Sequence, residues 1–298
     1  MEDIRIPQLN IGDKLYHYTS AEGLLGISDG EFWITEGSFL NDSTEFKIAS
    51  EVFGKILDQK IKNVQIRKKV KQIIADEMKK INSNNGNQSM YSGYYVISFC
   101  LEKDSILMWS QYSDFVGYCM EFDYRKLIDS FEGPTFSIFN GKVIYDFEEQ
   151  KECIEKTLQI FIFDDMKEYP KINEWEDLIK VVDEDEKNLV LFISVILSLY
   201  NMFFKKKCFE GENEYRIIFS CMHNGIGDKE KLSEKQYFRV KNEVLIPFVK
   251  KRFNKESLSA VLVGPKNNSD IVKKGLEYFY RNKEMDIKIS KSKVPLRY

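Results

Sequence analysis

Three short stretches, far apart in the chain, carry the patterning of β-strands and each brings a polar group with it. They are LYHYTS (Leu15 to Ser20), YYVISFC (Tyr94 to Cys100) and GENEYRIIFS (Gly211 to Ser220). Side chains alternate between the two faces of a strand, so an apolar alternation commits one face to a core and leaves the other for interspersed polar residues. The polar residues are His17, Ser98 and the pair Glu212 and Glu214, whose spacing of two places both carboxylates on one face if the strand includes them. The intervening stretches read mostly as helix, and no Pro- or Gly-rich linker divides the chain. A fold that buries all three stretches must therefore pair strands distant in sequence. This predicts one α+β domain over residues 1–298 with a mixed or antiparallel sheet.

The remaining pattern fills in that outline. Lys14–Thr19 reads as a strand followed by a helix that Ser20 caps, and Glu31–Thr35 as a short strand. Phe39–Asp42 reads as a turn. Apolar residues at three- and four-residue steps (Ile48, Val52, Ile56, then Val70, Ile73, Ile74, Met78) predict two helical stretches over Glu45–Ile81. Asn82–Ser89 (NSNNGNQS) reads as a polar loop. Gly117–Asp123 is a predicted strand, joined to Tyr94–Cys100 by a short helix containing MWSQYS. Ser137–Tyr145 reads as a strand with a turn at Asn140–Gly141. Lys151–Lys205 is predicted helical, within an insertion at about residues 146–207. Further strands are expected at Tyr215–Cys221, Gln236–Val240, Ala260–Val263 and Met285–Ser290, with a helix at Asp270–Asn282. Leu189–Phe204 (LVLFISVILSLYNMFF) is almost wholly apolar but shorter than the roughly 18 to 20 residues that cross a bilayer, and predicts a buried core helix.

Composition narrows the function classes. The chain has 298 residues, a net charge of −3 and 43% hydrophobic residues, which suits a large core and argues against a general nucleic-acid binder. It has five cysteines without C-x-x-C spacing and two histidines, so neither a disulfide framework nor a metal centre is expected. The opening residues MEDIRIPQLNIGDK lack a basic segment followed by an apolar one, and a cytoplasmic protein with no membrane partner is predicted.

The motifs LYHYTS, FLNDSTEF, ISFC, LMWSQY, GYCMEF, GENEYRIIF, VLVGPK and ISKSKVPLR follow one another along nearly the whole chain, and in this order the sequence resembles the bacterial domain-of-unknown-function family 2971. More distantly, His17, Ser98 and the E-x-E of Glu212 and Glu214 resemble the core of the ADP-ribosyltransferase fold. That resemblance implies an ADP-ribosyltransferase-type sheet with a helical insertion, and NAD as substrate without a metal. It also implies transfer of ADP-ribose to a macromolecular acceptor, protein or nucleic acid, or hydrolysis of NAD, as in a toxin or phage-defence effector. By this similarity Glu214 holds the ribose and stabilises its developing positive charge, and Glu212 accepts a proton from the nucleophile. Ser98 orients Glu214. His17, with Tyr18 and Thr19 beside it, contacts the adenosine-side ribose, and Tyr18, Tyr94 or Tyr112 stacks on nicotinamide.

Plainer roles exist for each of these residues. His17 could be a strand histidine bonded to backbone, Ser98 an ordinary strand serine, and Glu212 and Glu214 with Arg216 a solvated strand edge. Asn41, Asp42 and Glu45 suit a turn and helix cap. Trp109 and Tyr112 suit a core helix, and Lys205–Lys207 and Lys250–Arg252 suit solvated faces that could also meet phosphate or RNA. The competing class is a non-catalytic nucleotide-binding or protein-interaction module of a bacterial defence system.

Overall fold

The computed structural model describes residues 6–40, 47–82, 93–131, 136–160, 175–178, 187–221, 223–224, 231–232, 235–241, 243–267 and 270–296. The fold is mixed α+β around an open mixed sheet. The strands are β1 (Lys14–Thr19), β2 (Glu31–Glu36), β3 (Gly93–Cys100), β4 (Tyr118–Asp123), β5 (Phe136–Lys142), β6 (Glu214–Cys221), the short pair β7 (His223–Asn224) and β8 (Lys231–Leu232), then β9 (Gln236–Lys241), β10 (Val244–Arg252), β11 (Leu258–Val263) and β12 (Lys288–Lys291). The main sheet runs β12-β11-β4-β1-β3-β2-β10-β9, with β6 and β5 joined to the other edge of β3. Its pairings are antiparallel except β11 with β12. The three motif strands are neighbours, as expected: β1 pairs with β3 and β3 with β6.

Alternation decides what each face of this sheet meets. Tyr95, Ile97 and Phe99 of β3 and Tyr215, Ile217 and Phe219 of β6 pack into one core with Leu24 and Ile27 of α1 (Ala21–Ser28), and with α5 (Tyr124–Ser130) and α8 (Asp270–Asn282). The opposite face carries Val96, Ser98 and Cys100 on β3 beside Ile218, Arg216 and Glu214 on β6. Two covers shield parts of it. Cys100 packs with Trp109 and Met108 of α4 (Ile106–Ser113). Val96 and Ile218 pack against Leu199, Met202 and Phe203 at the end of α7 (Lys187–Asn201). The buried side of α7 in turn joins α2 (Ile48–Lys60), α3 (Val64–Asn82) and α6 (Phe147–Leu158) in a helical core that includes Val52, Ile56, Ile74, Ile154 and Leu197. The segment read as an insertion is thus packed against the two predicted helices that precede β3.

Several expectations need correction. Asn140–Gly141 is no turn: β5 runs straight through it, and a Cβ at Gly141 would lie 2.1 Å from Ile6 Cγ2, so Ile6 would have to shift to admit one. β10 is a strand that the sequence reading did not include; its Pro247 pairs with Phe238 of β9 within a regular ladder. The strand expected over Met285–Ser290 begins only at Lys288, as β12. Leu189–Phe204 is helical only to Asn201 and is not buried all round, since Leu191 and Val195 are 45% and 38% exposed. Among the described residues no helix is long and apolar enough to cross a membrane. Asn41, Asp42, Glu45 and most of the Asn82–Ser89 loop lie outside the described residues.

Other motifs hold the sheet's ends together. Asp104, in the left-handed region at φ 68°, accepts from Trp109 Nε1 (2.8 Å), the Ser292 hydroxyl (2.5 Å) and the Lys293 amide (2.7 Å). The C-terminal KSK is thereby tied to the turn between β3 and α4. Gly264 donates its amide to the Gly117 carbonyl (2.9 Å), so close that a Cβ on Gly264 would lie 2.6 Å from the Phe115 carbonyl oxygen.

Candidate functional site

β3 is forked. β6 pairs with its whole length on one edge, while the other edge is shared: β2 meets only Val96 and Tyr95, and β1 meets only Cys100. Between those contacts β1 and β2 diverge, leaving the edge of β3 at Ile97, Ser98 and Phe99 without a strand partner among the described residues. A cleft of about 620 Å³ lies at this divergence and is lined by His17, Tyr18, Thr19, Ser98, Tyr112, Glu212 and Glu214, all the residues singled out for a site except Tyr94. Gly23 and Gly26 of α1 and Trp33 and Thr35 of β2 complete much of its wall.

Glu214 is the centre of a buried charge network. Arg216 grips its carboxylate with two prongs, Nε to Oε1 at 2.8 Å and Nη2 to Oε2 at 3.1 Å. Lys205 Nζ bridges Glu214 Oε2 (3.1 Å) and Glu212 Oε2 (2.5 Å), and Ser98 lies on the same sheet face, paired with Arg216 across the β3–β6 ladder. Burial alone would raise the Glu214 pKa, but the Arg216 and Lys205 charges, the bonds from Arg216 and the nearby Ser98 hydroxyl outweigh it and hold the group at about 2. Glu212 has fewer donors, and burial pushes its pKa up against the pull of Lys205. Two acids thus meet two cations in a neutral set.

The geometry of the pair departs from the sequence reading. Glu212 is not on the strand. It ends a 3-10 turn (Lys207–Glu212), and Asn213 in the left-handed region at φ 42° reverses the chain before β6 begins at Glu214. The carboxylates come together because Lys205 reaches both, and they are 6% exposed each, so a solvated strand edge is excluded. Trp109 is core, fully buried with its Nε1 bonded to Asp104.

The remaining residues arrive from separate elements. His17 is out of phase with Glu214: Tyr16, its neighbour, pairs with Cys100, which pairs with Glu214. The imidazole packs edge-on against Phe32 and Phe99 at 5.7 and 5.6 Å and reaches the cleft only because β1 and β2 diverge. Its Nδ1 donates to the Ser98 carbonyl (3.1 Å), which satisfies part of the unpaired β3 edge and leaves Nε2 as an acceptor. Burial lowers its pKa to about 4, the Arg239 charge adding to the effect and the Ser98 bond opposing it. Tyr18 is edge-on to Trp109 (4.8 Å), donates its hydroxyl to the Glu102 carbonyl and accepts from the Ser105 amide, so its ring is committed to structure. Tyr94 is not in the lining. Tyr112, 37% exposed, remains as the aromatic group beside the two carboxylates, whose charges add to burial in raising its pKa.

The insertion builds the network rather than standing apart from it. The Lys205 amide bonds the Ile144 carbonyl (3.1 Å), and buried Gln150 of α6 donates to the carbonyls of both Ile144 (2.7 Å) and Lys205 (2.9 Å). Arg216 Nη1 donates to the Met202 carbonyl (2.7 Å) at the end of α7, and the Glu214 amide to the Tyr145 hydroxyl (3.0 Å). Sequence reasoning missed Lys205 and Arg216 as site residues, along with Trp33 and Arg239. Arg216 was legible, lying two residues from Glu214 on one strand face; Lys205 was hidden in a basic run that resembles a solvated face.

Among the described residues no cluster of His, Cys, Asp and Glu is arranged to hold a metal ion. No curated protein and no solved structure matches the chain, and neither comparison supports a likeness to ADP-ribosyltransferases. Residues 108–217, which run from α4 through the helical segment to Arg216 and Ile217, match the family described as Protein of unknown function (DUF2971).

Proposed function

We propose that the cleft binds NAD on an ADP-ribosyltransferase-type core and breaks the nicotinamide–ribose bond, passing ADP-ribose to a macromolecular acceptor or to water. The observation that carries this reading is the arrival of His17, Ser98 and Glu214 from three adjacent strands at one cleft. Loss of nicotinamide leaves positive charge on the ribose. A carboxylate held ionised at the site favours that transition state more than the ground state. Glu214 is ionised at any physiological pH, and Ser98 fixes its orientation. Glu212, with its raised pKa, is the better proton acceptor of the two. Tyr112 is the available ring to stack on nicotinamide, and His17 Nε2 can accept from a ribose hydroxyl. NAD consumption of this kind suits a toxin or phage-defence effector.

A second reading, a nucleotide-binding module without turnover, is favoured by one specific feature. Both oxygens of Glu214 already accept hydrogen bonds from Arg216 and Lys205, which offsets part of the charge a ribose cation would meet. Nicotinamide release from NAD decides between them. The enzyme should release it, and Glu214→Gln should lower turnover about 10²- to 10³-fold while weakening NAD binding much less. Ser98→Ala, which leaves all four charges in place, should lower turnover without loss of folding. Tight NAD binding with no nicotinamide release would establish the module reading.

A further inference from the structure

One charged group of the cleft is left over from the network. Arg239 of β9 lines the cleft at the end away from β6 in the sheet order, beyond β2 and β10. Its Nη2 donates to the Thr35 hydroxyl (2.7 Å), and its guanidinium lies 5.9 Å from the Phe248 ring. Its Nε is buried and has no hydrogen-bond acceptor, and among the described residues no carboxylate pairs with it. A guanidinium keeps its charge under all ordinary conditions, so partial burial without an anion is an unfavourable arrangement. The other ionic groups at this end do not relieve it. Glu31 is paired with Lys250 at 2.8 Å, and Glu22 stands exposed in the first turn of α1. Lys241, two residues along β9 and on the same face, also lines the cleft and adds a second positive charge. His17 is close enough to feel Arg239. The cleft is therefore neutral at Glu214 and positive at Arg239.

We propose that Arg239 is the anion-reading group of the cleft and binds a phosphate of a nucleotide whose sugar end lies at Glu214. The planar guanidinium of arginine offers phosphate oxygens paired donors, and Thr35 anchors Nη2, which leaves the end of the guanidinium, Nη1 with the second Nη2 hydrogen, for the ligand. The identity of the ligand as a nucleotide rests on the function proposed above, whereas the anion site rests on Arg239 itself.

Binding of inorganic pyrophosphate, ADP, NAD and phosphate-free nicotinamide riboside to the full chain, measured by calorimetry, tests this. Pyrophosphate and ADP should bind the wild type, more weakly as salt is raised. Arg239→Gln should weaken both roughly 10- to 100-fold, the loss of a charge-assisted bond. Arg239→Lys should restore only part of that affinity, and nicotinamide riboside should bind wild type and variant alike. Thr35→Val, which frees the guanidinium without removing it, should weaken pyrophosphate several-fold and serves if Arg239→Gln does not fold. Undiminished pyrophosphate affinity in Arg239→Gln, or no affinity for pyrophosphate and ADP in the wild type, overturns the proposal. If phosphate binding depends on Arg239 but NAD is never cleaved, the anion site stands and the catalytic reading falls. NAD cleavage with an unchanged KM in Arg239→Gln overturns the anion site and leaves the catalytic reading standing.

Discussion

Glu214 meets two cations before any ligand arrives, and this makes its removal a question of folding as well as chemistry. Taking away one member of a buried ion pair strands its partner in a poorly solvated site, at a cost of about 3–5 kcal/mol. Glu214→Ala should destabilise by that amount, because Arg216 is 1% exposed and its guanidinium is paired through two nitrogens to this carboxylate. Replacing the pair together, Glu214→Leu with Arg216→Met, leaves Lys205 matched to Glu212 and should recover most of the loss. Urea denaturation of the single and double variants measures the difference; equal destabilisation in both would show that the ion pair is not what holds this part of β6.

At the scale of elements, α7 is the joint between helical core and sheet. Its Ile193 and Leu197 belong to the helical core, whereas Leu199 at its end packs on Val96 and Ile218 of the sheet. Leu199→Ala should therefore cost about 2–5 kcal/mol by leaving a cavity there. Phe192 is only half-buried beside the helical core, and Phe192→Ala should cost clearly less. Guanidinium unfolding midpoints at constant slope would rank the two; a Phe192 loss matching that of Leu199 would mean the outer side of α7 is covered more fully than its exposed Leu191 and Val195 indicate. Because Lys205 and the Met202 carbonyl follow directly on α7, loosening this helix should also disturb the charge network.

For the whole molecule, the shifted groups set how stability responds to acid. The His17 pKa is about 4 in the folded protein against 6.5 unfolded, so the unfolded chain binds more protons between those values and stability falls as pH drops through that window. Glu214, at about 2 against 4.5, continues the loss from about pH 4.5 downward. Glu212 acts in the opposite sense, since its raised pKa favours the folded state on acidification. The thermal midpoint followed by circular dichroism should fall steadily below pH 6.5, and His17→Gln should flatten the part between pH 6.5 and 4. A wild-type midpoint constant across that interval would count against a neutral, half-buried His17.

Two-residue alternation specified the motif strands almost to the residue: Lys14–Thr19 and Tyr94–Cys100 both lie in observed strands, and the Ser20 cap accepts from the Gly23 amide at 3.3 Å. Helical periodicity likewise located Ile48, Val52 and Ile56 on the buried side of α2, and Val70, Ile74 and Met78 on that of α3. These signals are local, reporting which side of an element meets apolar neighbours. They also named polar groups that line the cleft. Only the tertiary structure decided which strand takes each edge of β3, and hence that β1 and β2 diverge, that His17 reaches the cleft through the gap, and that Arg239 comes to it from β9, far later in the chain. Lys205 could not be placed from its own neighbours, because the carbonyls and carboxylates that hold it come from β6, the 3-10 turn before it and the segment after β5. A side chain's sequence environment carries its propensity; its ionisation and its partners are set by groups that only folding brings within a few ångströms.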